Sequence, residues 1–218
     1  MLNITARQEL MRTIVETLGV VVEEARLDFG EDGLSVRVVD PSHVAMIRMD
    51  VDSAAFDTWD VDDTKLGLEM RKLKEILTQG QGTDAVYMSH DDATGQVSVK
   101  IGRIDLTMRP LDNTTLNPPN VPELDLPCGV TISGAELAQA IRASKLVSDL
   151  VNMSLTESQF SVNVKGPNSE VNADFSKDEL LAIDCSEPAR SQYSLTYLIP
   201  LAKIFQGIEN VNLRFGEN

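Results

Sequence analysis

Aspartate side chains are the groups in this chain of 218 residues that most readily suggest chemistry. They crowd into two short stretches, with Asp60, Asp62 and Asp63 in the first and Asp91 and Asp92 in the second. Grouped carboxylates can bind a divalent cation, so a metal-dependent enzyme is one hypothesis for this protein. Neither stretch has a glycine at the spacing of an ion-binding loop, and such aspartates are typical of solvated turns. We therefore expect no metal site.

The other reactive side chains are two cysteines, Cys128 and Cys185, and two histidines, His43 and His90. The cysteines lack CxxC spacing, which predicts free thiols in a reducing compartment. His90 precedes two aspartates and is expected in a surface turn. Two histidines are too few to support a nucleophile–histidine–acid arrangement. We therefore expect no catalytic residues, no cofactor and no enzymatic activity.

The charged side chains must be positioned by regular elements. In four segments, apolar residues recur at spacings of three and four residues, which is typical of amphipathic helices. Thr5 is expected to cap the first of them. The predicted helices cover residues 5–18, 68–79, 134–147 and 196–206.

Short segments between these helices alternate apolar and polar residues, which predicts strands. Residues 30–33 join two of them as a hairpin turn, and residues 57–64 are expected to form a loop. The fold class is therefore α+β. The predicted strands cover residues 25–29, 34–39, 45–51, 85–89, 96–101, 104–109, 151–155, 159–164, 170–175 and 211–215.

A stretch rich in proline divides the chain, with five prolines between residues 110 and 127. Proline disfavours both helices and paired strands, so this stretch is an extended connector. Its apolar residues suggest that it lies on another surface. The predicted organisation is one domain over 1–110, the connector over 111–127 and a second domain over 128–218.

The second domain repeats the first at an offset of 127 residues, so we expect two related folds. Counterparts of the strands at 96–101 and 104–109 do not occur before Asn218. A sheet that stopped there would leave an edge and a core face uncovered. We therefore expect the complete protein to continue for about 20–30 residues, from typical strand and loop lengths.

The charge is uneven along the chain, which has 19 basic and 34 acidic residues, a net charge of −15 and a pI near 4.4. Such acidity argues against a nucleic-acid binder. The four predicted helices nevertheless hold eight basic and five acidic residues, a net +3, which leaves −18 elsewhere. Each places a cation opposite its apolar stripe, at the same relative position. This pattern favours one shared basic surface; solvated helix faces are the alternative.

Several stretches resemble PCNA-family sliding clamps. They are residues 34–46 (LSVRVVDPSHVAM), residues 143–149 and 187–198 of the second domain, and residues 118–124 of the connector. The resemblance runs over the whole chain in the family's order. The short acidic form is more similar to archaeal than to eukaryotic members. The end at Asn218 departs from the family, whose members continue through two more strands and a tail.

The resemblance implies two repeated clamp domains, with helices inside and antiparallel sheets outside, in a ring-shaped homotrimer that encircles duplex DNA. It implies a processivity factor for DNA polymerase and a docking platform for replication and repair proteins. Because the chain has no glycine-rich phosphate loop, we expect a separate ATP-driven loader to open the ring. The expected location is the cytoplasm of an archaeal cell, on the chromosome, or the nucleus if the source is eukaryotic.

The resemblance and the helical wheels together assign the residues that face DNA: Arg12, Arg71, Lys74, Arg142, Lys145 and Lys203. The resemblance places a pocket for short hydrophobic motifs of polymerase, loader, nuclease and ligase partners at Val39, His43, Val44, Met46, Val121, Pro122 and Leu124. Core packing of the valines and methionine, and a capping role for His43, are the alternatives.

Two strands are expected to form the contact between subunits, since each would be an exposed edge in a monomer. The residues assigned to this contact are Ile104, Leu106 and Met108 in the first domain and Val171, Ala173 and Phe175 in the second. Other hypotheses remain: a repair-type or checkpoint clamp, one subunit of a heterotrimeric ring, and an acidic monomeric interaction protein that never encircles DNA.

Overall fold

The computed structural model describes residues 1–216. They fall into two compact units, one over residues 1–122 and one beginning at Glu123. The boundary lies within the connector that the sequence predicts at 111–127.

The first unit contains nine strands and two α-helices. Their order is β1 (Leu2–Arg7), α1 (Gln8–Leu18), β2 (Glu24–Gly30), β3 (Gly33–Val39), β4 (Met46–Asp52), β5 (Thr58–Val61), β6 (Thr64–Glu69), α2 (Met70–Leu77), β7 (Ala85–Asp91), β8 (Gln96–Ile101) and β9 (Ile104–Met108). In β1, β2 and β3, buried residues alternate with more exposed ones, as in a half-buried sheet.

Two antiparallel sheets form this unit, with strand orders β5-β1-β7-β8-β9 and β4-β3-β2-β6. The two helices pack against each other, α1 also against β1 and β7, and α2 also against β6 and β8. Their apolar stripes are buried, with Leu18 and Leu77 at most 1% exposed. The polar sides of both helices therefore face solvent.

The second unit repeats this order up to its seventh strand. Its elements are β10 (Cys128–Ser133), α3 (Gly134–Ser144), β11 (Leu150–Leu155), β12 (Gln159–Lys165), β13 (Glu170–Ser176), β14 (Ala182–Cys185), β15 (Ala189–Ser194), α4 (Leu195–Phe205) and β16 (Asn210–Phe215). The sheet orders are β14-β10-β16 and β13-β12-β11-β15. Strands equivalent to β8 and β9 are absent from the residues described.

The internal repeat is confirmed, and the offset is 126 residues where α1 and α3 begin. The buried residues Met11, Val15 and Leu18 match Leu137, Ile141 and Ser144 at that spacing.

Several local predictions from the sequence are wrong. The first helix begins at Gln8, and Thr5 lies in strand β1, so it cannot cap that helix. Residues 58–61 and 64–69 are strands, although we expected residues 57–64 to form a loop and residues 68 and 69 to be helical. The strands β10, β14 and β15 were not predicted.

The first part of the connector lies on strand β6 and is fixed there. The backbone amide of Leu111 donates a hydrogen bond to the carbonyl oxygen of Gly67, with an N–O distance of 2.8 Å. Leu116 approaches so closely that a Cβ on Gly67 would lie 2.8 Å from its side chain. Glycine at position 67 therefore allows the connector to contact the sheet.

A hydrogen bond and two ring contacts hold Trp59 in the first unit. Its indole nitrogen donates to the carbonyl oxygen of Gly30 at 3.0 Å, and its ring centroid lies 4.5 Å from that of Phe56.

Within the described part of the chain, no helix is long and apolar enough to cross a membrane.

Close packing at the start of α3 leads to a stability prediction. Gly134 meets the backbone carbonyls of Phe205 and Ile208 at the end of α4, and an added Cβ would overlap both oxygens. Because backbone atoms cannot rotate away, Gly134→Ala should lower the free energy of unfolding by roughly 1–3 kcal/mol in urea denaturation.

Gly207→Ala is the matched control, because a Cβ there would lie 3.8 Å from its nearest neighbour, the carbonyl oxygen of Ile204. It should change the free energy of unfolding by less than about 0.5 kcal/mol. Equal losses for the two variants would show that the Gly134 contact does not limit stability.

Candidate functional site

The solvent-facing side of α1 and α2 carries three of the predicted DNA-facing cations. Arg12 contacts the carboxylate of Glu16 at 3.1 Å, and Lys74 on the other helix contacts the same oxygen at 3.3 Å. The two cations therefore share one carboxylate. Arg71 is exposed, and no described acidic group lies within ion-pair distance of its guanidinium.

Glu16 is anionic within this basic group. Partial burial acts to raise its pKa, but the hydrogen bond and charge of Arg12, with a further contribution from Lys74, outweigh that effect. The pKa of Glu16 therefore lies below its usual value, and its charge moderates the positive potential of this helix pair.

In the second unit, α3 and α4 form the corresponding surface. Arg142 donates a hydrogen bond to the side-chain oxygen of Gln206 at 2.9 Å, which links the ends of the two helices. Lys145 pairs with Asp149. Lys203 is exposed, and no described acidic group lies within ion-pair distance of it. The unit thus presents three cations, of which Lys145 is partly neutralised.

The expectation that all four helices place a cation at the same relative position is wrong. At the structural offset of 126, Arg12 corresponds to the buried Ala138, and Arg142 corresponds to Glu16. Within their observed bounds the helices hold six basic and four acidic residues, a net +2 rather than +3. All six predicted DNA-facing residues are nevertheless exposed.

A tight turn between β3 and β4 shapes the predicted partner pocket, and Asp40 holds it together. Asp40 as a whole residue is 4% exposed, and its carboxylate accepts hydrogen bonds from the backbone amides of Ser42, Val44 and Ala45, at 3.0, 2.7 and 2.7 Å. His43 adopts the left-handed conformation at φ 56°, and its amide donates to the carbonyl oxygen of Asp40. Sequence reasoning missed Asp40, although an aspartate before Pro-Ser is a turn signal.

The turn exposes apolar side chains instead of burying them. Val44 is 69% exposed and Met46 is 37% exposed, so the core alternative is wrong for these two residues. Val39 at the end of β3 is half-buried and lies opposite Met46 in the strand register. Exposed apolar side chains such as Val44 and Met46 are candidates for contact with a partner.

A groove of about 530 Å³ in the first unit runs between strands β2 and β3 and the connector. Val39 and Pro41 line one side, and residues 115–119 line the other. The sequence instead selected the later connector residues Val121, Pro122 and Leu124. All three are exposed, and Leu124 belongs to the second unit.

Both predicted subunit-contact strands are sheet edges. Strand β9 ends the five-stranded sheet, and β13 ends a four-stranded sheet. Ile104 is 45% exposed, and the other predicted contact residues are half-buried: Leu106, Met108, Val171, Ala173 and Phe175. Each edge therefore offers unpaired backbone groups to another strand.

Three of the five aspartates that suggested a metal site have structural partners: Asp62, Asp91 and Asp92. Asp62 and Asp92 each lie 3.1 Å from the N-terminal amine of Met1. Hydrogen bonds and the charges of these carboxylates raise the pKa of that amine. Among residues 1–216, no three histidine, cysteine, aspartate or glutamate side chains are grouped to hold a metal ion.

His90 lies within strand β7, so the prediction of a surface turn is wrong. Its side chain is 14% exposed, and Nδ1 lies 3.2 Å from the carboxylate of Asp92. Asp91 accepts hydrogen bonds from the amide of Ala93 and the hydroxyl of Thr94, which lower its pKa.

Comparison with known proteins agrees with these features. Residues 1–105 match the family described as "Proliferating cell nuclear antigen, N-terminal domain". The DNA polymerase sliding clamp of Methanosarcina barkeri is 31% identical over 96% of this chain and 86% of its own length. That of Methanococcoides burtonii is 31% identical over 100% of this chain and 89% of its own length.

Solved structures show the same fold. The structure entitled "C-terminal region of FEN-1 bound to A. fulgidus PCNA" superposes with a TM-score of 0.95 at 27% identity, over 100% of this chain and 89% of that one. PCNA from Thermococcus kodakaraensis gives a TM-score of 0.88 at 20% identity, over 100% and 91%.

The fold, with helices packed on antiparallel sheets, and the similarity to these proteins together place the chain in the class of DNA sliding clamps. This chain belongs to the PCNA family of DNA polymerase sliding clamps, and its relatives reported above are archaeal.

The role of Asp40 gives a stability prediction. Asp40→Ala leaves three turn amides without their acceptor, so the free energy of unfolding should fall by roughly 2–4 kcal/mol in urea denaturation. Asp52→Ala is the control, because that exposed carboxylate accepts one amide, from Ala54, and should cost about 0.5–1 kcal/mol. Similar losses for both would contradict a special role for Asp40.

Proposed function

We propose that this clamp acts as a closed homotrimer that encircles duplex DNA, holds DNA polymerase on its template and catalyses no reaction. The observation that carries the proposal is the distribution of charge. The helix pairs expose six candidate cations on a protein of net charge −15, and the helices alone are net positive.

Edge pairing supports the ring. In the proposed trimer, β9 of one copy pairs with β13 of the next, and this head-to-tail contact closes after three copies. Such a contact joins two different edges, so each subunit uses its β9 edge once and its β13 edge once. A heterotrimeric ring with sister subunits is the alternative, and the mass of the purified single chain separates the two.

The weak basic character of the helices suits a ring that must slide. Each phosphate neutralised by a cation adds affinity and salt dependence, so many tight contacts would hold the ring at one place. A closed ring remains on DNA by topology, and its contacts can be few. The acidic remainder disfavours binding of DNA along the outer surface.

We further propose that a separate ATP-driven loader opens the ring and that the clamp works on the chromosome in the cytoplasm of an archaeal cell. The sequence supports a separate loader because it contains no glycine-rich phosphate-binding loop.

Charge reversal tests the DNA-facing surface. Arg71→Glu combined with Lys203→Glu replaces two cations that have no described acidic partner, one in each unit, so polymerase stimulation on primed, loaded DNA at moderate salt should fall roughly tenfold. Arg190→Glu with Lys65→Glu changes the net charge equally at exposed strand positions and should keep stimulation near that of the unchanged protein.

Light scattering supplies the assembly readout. The unchanged chain and both double variants should have a mass of about 72 kDa, three times 23.9 kDa. Equal stimulation by the two double variants would contradict a role of the helices in DNA contact. A particle of 23.9 kDa would contradict the homotrimer.

The turn around Val44 is the proposed docking site for partner proteins. FEN-1 is named with the archaeal relative, which supports a short segment of that protein as the probe. Apolar anchors of such a segment would cover Val44 and Met46, which are exposed now, and central apolar anchors supply most of the affinity in interfaces of this kind.

Val44→Ser with Met46→Ser should therefore raise the Kd for a peptide of the FEN-1 C-terminal region at least about tenfold by calorimetry. Leu181→Ser, which changes a 62% exposed leucine in the second unit, is the control and should leave the Kd unchanged. Unchanged affinity in the double variant would move the docking site elsewhere.

A further inference from the structure

Two cysteines that the clamp function does not use lie side by side in the second unit. Cys128 in β10 and Cys185 in β14 are direct partners in the antiparallel register, and their sulfur atoms are 3.3 Å apart. Both are free thiols in this structure. They are 57 residues apart in the chain, so their proximity was not visible in the sequence.

The two thiols differ in their access to solvent. Cys128 is fully buried in the core, whereas Cys185 is half-buried beside it. Burial, with a further contribution from the Cys185 thiol, raises the pKa of Cys128 to about 11. Both sulfurs also contact the carbonyl oxygen of Glu187, at 2.9 and 3.3 Å, which keeps them on the same side of the strand pair.

We propose that Cys128 and Cys185 form a reversible disulfide within one chain when the protein meets a small-molecule disulfide such as oxidised glutathione. Opposite residues on antiparallel strands have Cα atoms about 4.5–5.5 Å apart, which overlaps the range of about 4.4–6.8 Å that disulfides require. The bond can therefore form with little movement of the backbone.

The chemistry consists of two exchange steps. The more exposed Cys185 loses its proton to solvent, and its thiolate attacks one sulfur of the small disulfide and releases one small thiolate. Cys128 then loses its proton and attacks the Cys185 sulfur of this mixed disulfide, which releases the second small thiolate. Two protein thiols are oxidised, one small disulfide is reduced to two thiols, and an excess of small thiol reverses both steps.

The bond would join the edge strand β14 to the central strand β10 of its sheet. It would also close a chain segment that contains α3 and strands β11 to β13. Closing a loop of this length restricts the unfolded chain, so the oxidised protein should unfold at a higher temperature.

The experiment uses the whole purified chain, reduced and then incubated with oxidised glutathione. Intact-mass spectrometry after alkylation should show a single chain that has lost two hydrogens, carries no glutathione and resists alkylation. The thermal midpoint should rise by roughly 5–15 °C over the reduced protein and return when excess reduced glutathione is added.

Cys128→Ala and Cys185→Ala are matched controls that retain one thiol each. Cys128→Ala should stop at the mixed disulfide and carry one glutathione, and neither variant should gain thermal stability. Unreacted thiols in the unchanged protein, one glutathione on each of its cysteines, or disulfides only between chains would each overturn the proposal. The unchanged protein alone decides these outcomes if a variant fails to fold.

Discussion

Burial of one side of each helix pair against its sheets determines which side chains remain in solvent, and the rest of the molecule depends on it. Leu18 of α1 and Leu73 and Leu77 of α2 lie almost wholly in the core, so the arginines and lysines on the opposite side of each helix point outward. In the second unit, the contact between Gly134 and the end of α4 brings the helices together at backbone distance. The basic surfaces are thus a result of core packing.

The difference in net charge between the helices and the rest of the chain lets an acidic protein act on DNA. The helices carry a net +2, so the rest of the chain carries −17. With the helices facing DNA, as proposed above, attraction would operate within about 10 Å at ordinary salt, while the remaining surface would repel phosphate. The net charge of the sequence alone would have argued against a nucleic-acid partner.

Much of the fold could be predicted from the sequence, because helix periodicity and the internal repeat are properties of residue order. Strand β5 was missed because aspartates surround Trp59, and the contact of its ring with Phe29 comes from a distant part of the chain. Strand β1 was missed because it runs directly into α1, and its alternation is short.

The candidate site, like the fold, could be predicted from the sequence only in part. Exposed cations follow from the helical wheel, and the resemblance to sliding clamps located the turn that carries Val44. Two features depend on contacts between distant residues and could not be predicted: the carboxylate shared by Arg12 and Lys74, and the paired cysteines. The amides bound by Asp40 are local, and the turn signal around that residue was overlooked.

The attachment of the connector to β6 affects how a partner could use it. Leu111 and Leu116 are already in place through Gly67, whereas Val121 and Pro122 are exposed. Fixing one residue of free backbone costs about 1–2 kcal/mol of conformational entropy. The last residues of the connector are also bonded, since Leu126 and Pro127 accept hydrogen bonds from Arg214 and Ser186. A chain segment that is held at both ends leaves only the few residues between them to be ordered on association, so weak apolar contacts can suffice for capture and still permit rapid exchange of one client for another.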